Sequence, residues 1–130
     1  MNTYEVRAAT AEQLRVNIIE LPLQCEGYCC DNYIFIKQDL TTKEKNCILA
    51  EEIAHYLYSA GDIIDQKDLS KRKAELFARR KAYESTVPFE NVVSLLRAGE
   101  QIYDIAELYD LPEQYLREAL EWYVSKHEKV

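Results

Sequence analysis

The stretch Cys47-Ile48-Leu49-Ala50-Glu51-Glu52-Ile53-Ala54-His55-Tyr56 decides how the chain is read. Apolar residues recur at Ile48, Leu49, Ile53, Tyr56 and Leu57, the i, i+4, i+8 rhythm of a buried helical stripe, and no Pro or Gly interrupts them. One face of that helix is polar. Glu51 and His55 are four residues apart and so stand one turn above each other, pointing the same way, with Glu52 beside them. On spacing alone two readings stay open: a solvated acidic face carrying an incidental His, or a set of donors arranged along one helix.

The second reading is the geometry of H-E-x-x-H with the first His replaced by Glu. In that motif the residues at i and i+4 hold a metal, and the Glu after the first is the general base. The run LAEEIAHYLYSAGDII at 49–64, followed by KAELFARRKAYESTVP at 73–88, resembles the ImmA/IrrE family of metallo-endopeptidases, in the short form carried by phages and mobile elements of Gram-positive bacteria. The resemblance runs from Glu26 to Pro88 and is looser beyond.

Two donors on one helix cannot complete an open tetrahedral site, so a third must come from another element. The following helix offers Glu75 and Glu84. The resemblance selects Glu75, because the family's acidic ligand begins a pattern of Glu, Ala, Ala and Pro met here by Glu75, Ala78, Ala82 and Pro88. The plainer alternative is an exposed Glu75 paired with Arg72 or Arg79. By resemblance, then, Glu51, His55 and Glu75 hold Zn²⁺, or Mn²⁺ or another divalent ion in its place, and Glu52 moves the proton.

The chain departs from the family at three of these positions. Arg79 stands where Asn is usual, Lys81 where an aromatic is usual, and Glu51 where the first His belongs. Two carboxylates and an imidazole leave a divalent ion formally neutral, which weakens it as a Lewis acid and favours Mn²⁺ or another hard ion relative to Zn²⁺. Cys47, one turn before Glu51, reads as a fourth ligand, a redox-sensitive neighbour or a small buried residue, the last being the ordinary state of such a Cys. Tyr56 and Tyr58 read as oxyanion donors or, more ordinarily, as core and rim aromatics. His127 reads as a solvated side chain near a fraying end.

Around this centre the chain predicts an α+β fold. A helix over 3–14 capped by Thr3, a strand over 16–20, and a hairpin of 28–30 and 33–36 turning at Asp31-Asn32 give a small antiparallel sheet of about three strands. The capping-box spacing of Thr41 and Glu44 starts the motif helix at 42, and Gly61 is its expected stop. Helices follow at 69–85 and 89–98, with two more broken at Asp110-Leu111-Pro112. Residues 1–130 form one zincin-like domain in this reading, with 89–130 as its helical extension. The last two helices invite a helix-turn-helix reading, but the second carries Glu113, Glu118 and Glu121 against Arg117 alone, which opposes DNA binding. Leu116, Leu120, Trp122, Tyr123 and Val124 are expected to pack on the core or on a protein partner.

A net charge of −7 argues against nucleic-acid and anionic-membrane surfaces. Charges at Glu5, Arg7, Glu12 and Arg15 argue against a leader peptide, and Cys25, Cys29, Cys30 and Cys47 form no disulfide pattern, so a reduced, cytoplasmic protein is expected. Two functions follow from the resemblance. One is an endopeptidase that relieves repression by cutting a helix-turn-helix transcriptional repressor. The other is a zincin-fold antirepressor or binding module that has lost efficient hydrolysis and grips its partner.

Overall fold

The computed structural model describes residues 2–59 and 68–128. The expected helix stop at Gly61 and the side chain of His127 lie outside what is described. The first helix, α1, spans Thr3–Gln13. Its cap is Asn2 instead of Thr3: the Asn2 side chain accepts from the Glu5 backbone N–H at 2.8 Å while the Glu5 carboxylate accepts from the Asn2 N–H at 3.0 Å. Thr3 is thereby free for a longer-range role, donating through Oγ1 and its backbone N–H to Asp110 Oδ2.

Three strands follow, β1 at Asn17–Leu21, β2 at Gly27–Cys30 and β3 at Tyr33–Lys37. They lie in the order β1-β3-β2. The hairpin is as expected, with Cys30 opposite Tyr33 and Asp31 taking the left-handed φ of 53° that Asp tolerates. β1, however, runs parallel to β3, so the sheet is mixed and not antiparallel throughout. Burial explains the arrangement: β3 carries Ile34 and Ile36, both fully buried, and the most apolar strand takes the centre with a neighbour on each side.

The motif helix α2 occupies Thr42–Ser59 and begins with the reciprocal Thr41–Glu44 capping box, in which the Thr41 N–H donates to Glu44 Oε1 and the Glu44 N–H to Thr41 Oγ1. α3 covers Asp68–Thr86, α4 Phe89–Arg97, α5 Ile102–Leu108 and α6 Glu113–Glu128. Pro88 caps α4, and Gly99 follows it at φ 93°.

α2 lies between two apolar clusters. On one side Leu49 joins Tyr4, Ala11, Val16, Ile34 and Ile36 beneath the sheet. On the other, Cys47 joins a cluster from α3 to α6 that includes Tyr83, Val87, Val92, Ile105, Leu111 and Leu116, and Ile48 touches both. α6 turns Tyr115, Leu116, Ala119 and Tyr123 into that cluster, and Tyr123 donates its hydroxyl to the Val87 carbonyl at 3.1 Å. Leu120 and Trp122 are partly buried against it, while Val124 is half exposed. Among the described residues no helix is long and apolar enough to cross a membrane.

Candidate active site

α2 and α3 run past each other so that residues one turn apart on each meet as two rungs. On the first rung His55 Nε2 lies 3.4 Å from Glu75 Oε2. On the second, Arg79 Nε donates to Glu51 Oε1 at 2.9 Å. Once the crossing of α2 and α3 brings one pair together the helical repeat brings the other, since Glu51 and His55 are four apart on α2 and Glu75 and Arg79 four apart on α3. Glu75 therefore meets His55, and Arg79 pairs with Glu51 and not with Glu75.

His55, Glu75 and Glu52 line one hollow of about 460 Å³ together with Tyr56 and the β2 residues Gly27, Tyr28 and Cys29, and Asp31 of the turn. Glu52 is its chemical centre. Burial pushes its carboxyl up to about 7, helped by the negative charges of Glu51 and Glu75. A carboxyl with that affinity for protons both takes and returns one near neutral pH, as a general base must.

Gly27 sets how closely the sheet approaches Glu52. A Cβ there would lie 2.7 Å from Ile48 Cγ2 and 3.2 Å from both Cγ and Oε2 of Glu52. Only a residue without a side chain lets β2 lie flat on α2 at this point. Cys29, two residues on and on the same face, borders the hollow as a neutral thiol, its pKa raised to about 11 by burial and then by Glu52. The resemblance and the motif spacing give β2 no part in the site. The signal was present in the alternation that puts residues 27 and 29 on one face.

Glu51 faces elsewhere. It borders a second hollow of about 320 Å³ with Arg79, Cys47, Glu26, Glu44, Tyr115 and Glu118. Burial raises its pKa, and the Arg79 guanidinium offsets only part of that. Cys47 is a buried thiol donating to the Glu44 carbonyl, its pKa pushed up to about 12 by burial. Tyr58 packs edge-on against Phe77 at the rim, with Lys81 over both rings.

In kind, His55, Glu75 and Glu51 suit a divalent ion: an imidazole and two carboxylates from two helices, with the first two already side by side. Among the described residues no group of three His, Cys, Asp or Glu side chains comes close enough to hold an ion, and Glu51 is paired with Arg79.

A mixed sheet packs on a helix that carries Glu51, Glu52 and His55, and a second helix brings Glu75 to His55. The family model described as the IrrE N-terminal-like domain, Peptidase_M78, matches residues 11–121, and the chain belongs to that family. No curated protein sequence matches the chain.

Proposed function

We propose that the protein is a metal-dependent endopeptidase, acting in the cytoplasm, that relieves repression by cutting a helix-turn-helix repressor of a phage or mobile element. The observation that carries the hydrolytic reading is Glu52, a largely buried carboxyl with a pKa near 7 beside the paired His55 and Glu75. Glu51, His55 and Glu75 would hold Zn²⁺, or Mn²⁺ or another divalent ion. When bound, such an ion supplies positive charge that polarises a peptide carbonyl and acidifies water. Glu52 accepts the proton of the attacking water and returns it to the departing amine. β2 lies at the edge of the sheet beside the hollow, where an extended peptide can pair with its backbone, which suits a protein substrate. The acidic surface and the inward-packed α6 favour a protein partner over nucleic acid or a membrane.

The Glu51–Arg79 pair supports a second reading, in which the same hollow grips a repressor without cutting it. Glu52→Gln separates the two. With a candidate helix-turn-helix repressor co-expressed, the peptidase reading expects the repressor's cut fragments, seen by intact mass, to vanish with this substitution and repression to return. Derepression that survives Glu52→Gln, with the repressor intact, would establish the gripping mode instead.

A further inference from the structure

The second rung of the α2–α3 ladder is as specific as the first. Arg79 Nε meets Glu51 Oε1 at 2.9 Å, the Glu51 side chain is mostly covered, and Arg79 is half exposed. A guanidinium is permanently charged and matches a carboxylate in shape, so it is a strong occupant of the position a divalent ion would need. The pair also aims Glu51 into the smaller hollow, away from the one that His55, Glu75 and Glu52 share. We propose that Arg79 is a built-in competitor for the metal: Arg79 and a divalent cation are alternative partners of Glu51, and the ion binds only as Arg79 lets go.

The structure provides somewhere for Arg79 to go. The hollow it borders is also lined by Glu26, Glu44 and Glu118, and the Glu118 charge already acts on the guanidinium. These carboxylates are alternative partners for the Arg79 guanidinium within the hollow it already borders. Metal loading is then an exchange of one cation for another at Glu51. The other arrangement open to such a pair, Arg79 steadying Glu51 while it binds the ion through its second oxygen, makes the opposite forecast.

This inference rests on the metal-site reading. Its test is calorimetric titration of Zn²⁺, and separately Mn²⁺, into metal-stripped wild type, Arg79→Gln, Glu51→Gln and the double variant, with far-UV circular dichroism confirming that each is folded. Arg79→Gln is expected to bind about tenfold more tightly than wild type, ~1.4 kcal/mol, and the gain is expected to vanish in the Glu51→Gln background. Equal or weaker binding by Arg79→Gln overturns the proposal, weaker binding meaning that Arg79 supports the ligand. A gain that persists without Glu51 also overturns it, since Arg79 would then act on the ion directly. If none of the four binds either ion, the metal-site reading itself fails; if wild type binds and Arg79→Gln binds no better, only the competition fails.

Discussion

Asn46 and Glu52 sit on the same helix, less than two turns apart, and the fold treats them in opposite ways. Asn46 is fully buried and satisfied at both ends: its Nδ2 donates to the Asp110 carbonyl at 3.0 Å and its Oδ1 accepts from Arg7 Nε at 2.9 Å. Asp110 in turn accepts from Thr3, so α1, α2 and the turn before α6 are tied through hydrogen-bonded groups. Glu52 is largely buried beside two further carboxylates, and its pKa rises accordingly. A polar network that serves only the fold has every partner supplied, whereas a group held in an unfavourable charge environment is what proton transfer needs.

Substitution at each site sharpens that contrast. Asn46→Ala strands the half-buried Arg7 and the Asp110 carbonyl and leaves a cavity, so it should cost about 3 kcal/mol in urea unfolding while leaving Zn²⁺ affinity within error. A large change in metal affinity would mean that the two sites are not separate. Glu52→Gln should do the reverse, raising the stability of the metal-free protein by about 2 kcal/mol at pH 8.

The sign follows from linkage. The folded-state pKa of Glu52 lies above its ordinary value of 4.5, so the folded protein holds more protons than the unfolded chain between pH 4.5 and 7. Glu52 thus costs nothing below that window, and stability falls as pH rises through it. In Glu52→Gln that fall should be smaller by the same amount, as denaturant midpoints at pH 5 and pH 8 would reveal. An unchanged pH profile would mean that the carboxylate is well solvated.

Smaller effects are expected at the edges of the two sites. Gly27→Ala should cost about 1.5 kcal/mol by pressing on Ile48 and Glu52, and it should lower the Glu52 contribution to the pH profile as β2 lifts away. Thr41→Ala removes one half of the α2 cap and should cost about 1 kcal/mol with no effect on the pH profile.

The features set by local chemistry were legible in the sequence. The Thr41–Glu44 box, the Asp31-Asn32 turn and the stop at Gly99 each follow from a few neighbouring residues, and the helical repeat on α2 put Glu51, Glu52 and His55 together. Sequence could not give the direction of β1, because pairing with β3 depends on which strand the core pulls to the centre. Nor could it tell Asn2 from Thr3 as the α1 cap, where both residues are competent and Asp110, more than a hundred residues away, decides. At the site, the resemblance led to Glu75, and its meeting with His55 is what the structure adds. Arg79 was visible as a departure, but its choice of Glu51 over Glu75 depends on how α2 and α3 cross.

Elemental mass spectrometry of the purified protein, wild type beside His55→Ala and Glu75→Ala, tests the central reading most directly. Roughly one ion per chain in the wild type, lost in both variants, is the expected result for a site built across α2 and α3. No retained metal in the wild type, even after incubation with Zn²⁺ or Mn²⁺, would contradict it.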